Sequence, residues 1–255
     1  MVLYSHSRLS TFEQCPLKFK FRYIDKLEPE IKQSIEGFLG NRVHDTLEFI
    51  YIESCKGRTL ELDEIIEFYI QVWNKEYSNE IKVIKQELTA EHYFEKGIKF
   101  LIDYFTANYP FKDNTIAVEK RIILDLDPSQ PGKYKLQGYI DRLVHNKDSN
   151  IFEIHDYKTG QIKTQEELDK DRQLALYSLG IKESFPEAAD IHLIWHFLDF
   201  NKKMQSKRTD EELIQLKQDI INLITKIEST TDFPACPSIL CKWCEFQGYC
   251  DYKPE

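Results

Sequence analysis

Two carboxylates and a lysine, Asp141, Asp156 and Lys158, lie in neighbouring β-rich runs, and three cysteines, Cys241, Cys244 and Cys250, crowd the end of the chain. The first group sits in Gly138-Tyr139-Ile140-Asp141-Arg142 and Asp156-Tyr157-Lys158-Thr159-Gly160. A turn over Lys147-Asp148-Ser149-Asn150 would place Asn146 opposite Ile151, and Asp141 opposite Asp156. Side chains alternate along a strand, so Tyr139, Asp141 and Leu143 would share a face with Phe152, Ile154, Asp156 and Lys158. Arg142, Glu153 and His155 would take the other face. Charges on an apolar face are costly unless paired or bound to metal. Two opposed carboxylates suit a hard divalent cation. A lysine two residues on can orient or deprotonate a water beside that ion.

The cysteines form a C-x2-C-x5-C run, a metal or cluster spacing. A four-ligand site needs one more thiolate, from Cys15 or from Cys236 just upstream. Zinc and an iron–sulfur cluster share that ligand count. Cys55 reads as a plain helix residue.

The chain has 255 residues, with 34 Lys+Arg against 43 Asp+Glu and a formal net charge of −9. That balance argues against a basic nucleic-acid coat protein, but not against a nucleic-acid enzyme with a local basic path. With 13% aromatic residues the chain is not wholly disordered, and 9 Gly and 9 Pro exclude a collagenous one. No apolar run approaches the roughly 18 residues of a membrane helix. The start, Met1-Val2-Leu3-Tyr4-Ser5, has no signal-peptide character, so a cytoplasmic location is expected. No G-x-x-x-x-G-K-[ST] run is present, which speaks against ATP hydrolysis.

These groups need elements to position them. Ser10-Thr11-Phe12-Glu13 resembles an N-cap with an acidic first turn. Helices are expected near 38–54, 61–78 and 87–108, the last closed by Pro110. Strands follow at about 116–126, 134–145 and 151–158. A helix at 165–182, a strand at 191–200 and a helix at 210–229 come next. We expect a single domain over 1–255: an N-terminal segment 1–34, a helical region 35–114, an α/β core 115–232 and a Cys-bearing tail 233–255.

Asp-x(14)-Asp-x-Lys across a hairpin resembles the core of the PD-(D/E)XK nucleases, and the flanking words resemble their RecB-like branch. Gly40-Asn41-Arg42-Val43-His44 with Leu47-Glu48 is similar to its G-x-x-x-H-x-x-L-E helix. Gly138 to Arg142 is similar to its G-x-x-D-R strand, Asp156 to Gly160 to its D-Y-K-T-G, and Gln173-Leu174-Ala175-Leu176-Tyr177 to its Q-x-x-x-Y helix. The order is the family's, and the matches span nearly the whole chain. The resemblance implies a restriction-endonuclease-like α/β fold, a mixed central sheet flanked by helices. It implies His44, Asp141, Asp156 and the Tyr157 carbonyl as ligands of Mg²⁺ or Mn²⁺. Lys158 would position water and stabilise the transition state, with Gln173 and Tyr177 facing the site. Glu48, one turn after His44, could orient that ring or simply be solvated. Glu119 in the first strand carries little functional signal.

Cys15-Pro16-Leu17-Lys18-Phe19 resembles the C-P-x-x-F/Y segment of iron–sulfur members, among them the AddB nuclease domain and the CRISPR adaptation nucleases. This implies a [4Fe–4S] cluster at Cys15, Cys241, Cys244 and Cys250, with zinc as the alternative. The implied activity is metal-dependent phosphodiester hydrolysis of DNA by an exonuclease preferring single-stranded ends, in repair or recombination. A spacer-processing CRISPR nuclease, or a non-cleaving subunit beside a helicase, are the alternatives; a degenerate copy would be expected to have lost one of His44, Asp141, Asp156 or Lys158. Helicase or CRISPR adaptation proteins are the implied partners, and no membrane. The segment with Arg8, Lys18, Lys20 and Arg22 interleaved with Phe12, Phe19, Phe21 and Tyr23 has the composition of a single-strand surface. Arg8, Arg42 and Arg142 are candidate phosphate contacts.

Overall fold

The computed structural model describes residues 2–85 and 87–252. The chain opens with β1 (Leu3–Ser5), α1 (His6–Gln14), α2 (Pro16–Phe19) and a π-helical turn, Lys20–Ile24. The helical part holds β2 (Gln33–Ser34), α3 (Ile35–Cys55), α4 (Leu62–Glu76), β3 (Ile81–Lys82) and α5 (Ala90–Asn108). The α/β part runs β4 (Thr115–Asp125), β5 (Lys135–Asn146), β6 (Ile151–Lys158), α6 (Gln165–Asp169), α7 (Arg172–Ser184), β7 (Asp190–Phe197), β8 (Lys202–Ser206) and α8 (Asp210–Ser229). The tail carries two short 3₁₀ turns, Ile239–Trp243 and Gln247–Tyr249.

Three expectations are corrected. Ser10 is not an N-cap: α1 starts earlier, at Ser5, whose hydroxyl accepts from the Arg8 N–H at 3.1 Å. The helix expected over 165–182 is two helices, because Asp171 starts a new one by accepting from the Gln173 N–H at 2.9 Å. The strand expected to run to 200 ends at Phe197, and Asn201 at φ +44 turns the chain back into β8. In the segment 1–34, β1 joins the central sheet and Leu9, Phe12 and Phe19 belong to its core.

The main sheet has the order β1-β5-β6-β7-β8, with β4 on the other edge of β5. β4 and β6 pair antiparallel with β5, while β1 pairs parallel with β5 and β7 with β6. One edge of β5 is shared: β1 pairs with Lys135–Gln137 and β6 with Arg142–Asn146. Between them, residues 138–141 face a gap where β1 and β6 diverge. One apolar cluster, with α1, α7 and α8, covers one sheet face; a second, from α3, α4 and α5, covers the other. Both faces are therefore buried. Among the described residues no helix is long and apolar enough to cross a membrane.

Candidate active site

The expected register holds from Asn146 opposite Ile151 to Arg142 opposite His155. The ladder stops there, one step short of Asp141 and Asp156. Instead of pairing by backbone, the strands are bridged by a side chain: Asp141 Oδ2 accepts from the Tyr157 N–H at 2.9 Å. The expected alternation also slips at this point. Ile140 and Leu143 share one core cluster, which strict alternation would forbid, and Tyr139 is exposed. The residue across from Asp141 in β4 is Glu119, at φ +44 between the paired residues Val118 and Lys120. The sheet is irregular in both strands exactly where the carboxylates gather.

α3 brings His44 to this gap. Its Ile35, Phe38, Val43 and Leu47 bury into the helical cluster, which presses the helix against the end of β6. Gly40 permits the approach, since a Cβ there would lie 3.2 Å from Thr159 Oγ1. His44 Nε2–H donates to the Tyr157 carbonyl at 2.8 Å, and its Nδ1 lies 3.5 Å from Asp141 Oδ2. Ligand atoms of His44, Glu119 and Asp141 all lie within 4.8 Å of one another. Burial first, then the nearby Asp156, push the Asp141 carboxyl up to about 7, against the pull of His44, the Tyr157 N–H and Lys158. Burial and Glu48 likewise raise the Glu119 carboxyl.

Asp156 lies close enough to Asp141 to raise its pKa but is tied to Gln173 of α7, outside the group that His44, Glu119 and Asp141 form. Its carboxylate is buried, and Lys158 Nζ is 3.0 Å from Oδ1 and 2.8 Å from Oδ2. One amide ties the pair together: Gln173 Oε1 accepts from Lys158 at 3.0 Å, and Gln173 Nε2 donates to Asp156 Oδ1 at 3.1 Å. Burial lowers the Lys158 pKa, but Asp156 and Asp141 more than offset this and raise it on balance, so the amine is an ammonium. Tyr177, one turn on from Gln173, is buried against Gly138; a Cβ on Gly138 would stand 2.1 Å from its ring. The gap thus holds a donor set of carboxylates, one imidazole and one carbonyl, which fits Mg²⁺ or Mn²⁺. Two right-angled bonds of about 2.1 Å put ligand atoms about 3 Å apart, close to the observed separation of His44 Nε2 and the Tyr157 oxygen.

Tyr157 also anchors the site from behind. Its hydroxyl accepts from Arg142 Nε at 2.8 Å and lies 3.1 Å from the Tyr104 hydroxyl. Arg142 is therefore corrected as a phosphate contact. It is 2% exposed, lies 4.1 Å over the Tyr51 ring, pairs with Asp113 and donates to His155 Nδ1 at 2.7 Å. Burial, and then Arg142, hold the His155 pKa well below the ordinary value, so this buried network keeps a single positive charge. Arg42 pairs with Asp45 at 2.9 Å, and Arg8 lies over the rings of Tyr4, Phe19 and Tyr23. The basic-aromatic N-terminal segment is spent internally as well: Phe12 and Phe19 are core, and Lys18 and Arg22 both pair with Glu245.

The cysteine tail lies apart from this gap. Cys15, Cys236, Cys241, Cys244 and Cys250 line one cavity of about 60 Å³ with Leu17, Phe21 and Phe246. All six cysteines are free thiols, and among the described residues no three sulfurs come within 4.8 Å of one another. The sulfurs thus show neither the geometry of a zinc site nor that of a cluster. Backbone N–H groups of Cys236 and Ser238 approach Cys15 Sγ at 3.5 Å and Cys241 Sγ at 3.3 Å. The tail is tied to the N-terminal segment by Glu245, by Glu30 accepting from the Gly248 N–H at 2.7 Å, and by Phe21 against Phe246.

Sequence reasoning missed Glu119, whose only signal was a place in the strand preceding Asp141. It also missed Gly40 and Gly138 as close-approach positions. Comparison with known proteins follows the same lines. The pattern of the PD-(D/E)XK nuclease superfamily matches residues 4–251. A crystal structure of a protein from Eubacterium rectale named "Putative exonuclease" is similar at a TM-score of 0.54 and 11% identity, over 94% of this chain and 87% of that one. At that identity the likeness is one of fold. The solved structure of SSO0001 gives a TM-score of 0.40 and 16% identity, over 92% of this chain and 94% of that one. The chain matches no curated protein.

Proposed function

The chain belongs to the PD-(D/E)XK nuclease superfamily, and from that membership we propose that it is a Mg²⁺- or Mn²⁺-dependent exonuclease acting on single-stranded or free-ended DNA. The observation that carries the reading is the convergence of His44, Asp141 and the Tyr157 carbonyl beside the Asp156–Lys158 pair. His44, Asp141, Asp156 and the Tyr157 carbonyl would hold the ion. Bound there, it would polarise a phosphodiester oxygen and acidify a water. Lys158, whose pKa is raised by Asp156 and Asp141 against burial, would serve by charge, meeting the negative charge that gathers on the attacked phosphoryl group. Gln173 accepts from that ammonium through its amide oxygen, and Tyr177, one turn on, packs against Gly138. The preference for free ends is supported by the RecB-like motifs and by the name of the Eubacterium rectale neighbour.

A [4Fe–4S] cluster at Cys15, Cys241, Cys244 and Cys250 belongs to the same proposal. Its support is the cavity these four thiols share and the N–H groups aimed at two of the sulfurs. Anaerobic purification should yield brown protein with iron and sulfide in equal amounts; colourless protein with zinc would reject the cluster. The activity is tested with end-labelled single-stranded DNA and Mn²⁺, wild type beside Asp156→Ala. Label should pass into short products with wild type alone. No products from folded wild type would reject the stand-alone nuclease.

A further inference from the structure

Glu119 is the one residue of β4 whose backbone enters the left-handed region, at φ +44, where a side chain is strained. Val118 pairs with Arg142 and Lys120 with Ile140, so the left-handed residue falls between them, facing Asp141, apart from the register shift between Thr115 and Ala117. A glycine or asparagine would take this conformation more readily. The break sends the Glu119 carboxylate into the gap, within 4.8 Å of ligand atoms on both His44 and Asp141. Among the described residues no lysine or arginine pairs with it. Asp156, by contrast, already has Lys158, and Asp141 has the Tyr157 N–H.

We infer that Glu119 is a further direct ligand of the divalent ion, reaching it from β4 while Asp141 and the Tyr157 carbonyl reach it from β5 and β6. The inference rests on the metal centre proposed above. It makes the site a three-carboxylate one, and the charges then balance: Glu119, Asp141 and Asp156 against a divalent ion and the Lys158 ammonium. The local strain is a structural cost at the one position where a carboxylate can close the donor set from the third strand.

The test is Mn²⁺ binding, followed by the resonance of the free ion, for wild type, Glu119→Gln, Glu119→Gly and Asp141→Asn, with thermal unfolding of each in chelator. Glu119→Gln should weaken Mn²⁺ binding by at least the roughly 10- to 100-fold lost when a mere supporting partner of a ligand is removed, and should leave the melting temperature in chelator unchanged. Glu119→Gly should melt higher in chelator, because glycine fits φ +44, and yet bind Mn²⁺ as weakly as Glu119→Gln. If both bind as wild type does while Asp141→Asn does not, Glu119 is only a strained strand residue and the inference fails. If Asp141→Asn also binds as wild type does, the metal centre itself is misplaced and both readings fall.

Discussion

The strand-borne gap and the cysteine tail both gather ligand-type residues, but to different degrees. In the gap, His44, Glu119 and Asp141 already stand within 4.8 Å of one another, and the Tyr157 carbonyl is 2.8 Å from the imidazole. At the tail, five thiols, Cys15 among them, line a cavity without converging. The difference follows from what holds each. The gap is fixed by the splay of β1 from β6 and by Arg142 and Tyr104 locking the Tyr157 ring from behind. The tail is two short 3₁₀ turns tied down by Glu245, Glu30 and a few aromatic rings. A site on rigid strands is organised before its ion arrives; a site on loops is organised by its metal.

The comparison breaks most visibly at the ligands. His44→Ala should lower Mn²⁺-dependent cleavage by about a thousandfold, since metal stabilisation supplies several kcal/mol and each 1.4 kcal/mol is tenfold. Iron content and tail protection from protease should not change. Cys241→Ser should do the reverse: cluster loss and rapid proteolysis within 233–252, with Mn²⁺ binding in the gap retained. If Cys241→Ser also abolished Mn²⁺ binding, the two regions would not be independent.

Packing effects are smaller. Gly138→Ala drives a methyl into the Tyr177 ring and should cost about 1–3 kcal/mol, read as a lower melting temperature, with cleavage falling as Gln173 shifts. The smallest effect is a pH dependence confined to the gap. The raised Asp141 pKa means that the metal-free fold holds a proton the unfolded chain releases. The Asp141 contribution to stability in chelator, read as the difference between wild type and Asp141→Asn, should therefore fall as pH rises from about 4 to about 7 and level off above that, the buried His6, His155 and His196 acting in the opposite sense in both proteins. Mn²⁺ needs the deprotonated carboxylate, so the melting-temperature gain it gives should grow across the same window. Parallel melts with Mn²⁺ and with chelator check this; a gain independent of pH would remove Asp141 from the ligand set.

Much of this was legible in the residues, and the exceptions have physical reasons. The β5–β6 register from Asn146 to Arg142 followed from turn length and alternation, and the motifs named residues that lie in contact: His44 with Asp141, and Asp156 with Lys158 and Gln173. The slip at Asp141 was not legible, because nothing in a strand's composition marks where its neighbours part. Glu119 was missed for the same reason. Arg142 read as a phosphate contact and His155 only as its neighbour on the strand face, because charge on a strand usually means solvent. Their burial depends on α3 and α5 covering that face, and on tyrosines that come from distant segments. Strands of three and five residues, β1 and β8, have too little pattern to declare themselves without their partners.

The central claim is that the gap performs hydrolysis with Lys158 acting by charge beside a bound ion. Single-turnover cleavage of DNA at saturating Mn²⁺, wild type against Lys158→Ala, tests it most directly when Mn²⁺ binding is measured on the same samples. The account predicts Mn²⁺ binding retained and cleavage slowed by about 10²- to 10³-fold, the loss expected for one stabilising donor in a transition state. Cleavage by Lys158→Ala at the wild-type rate would contradict it.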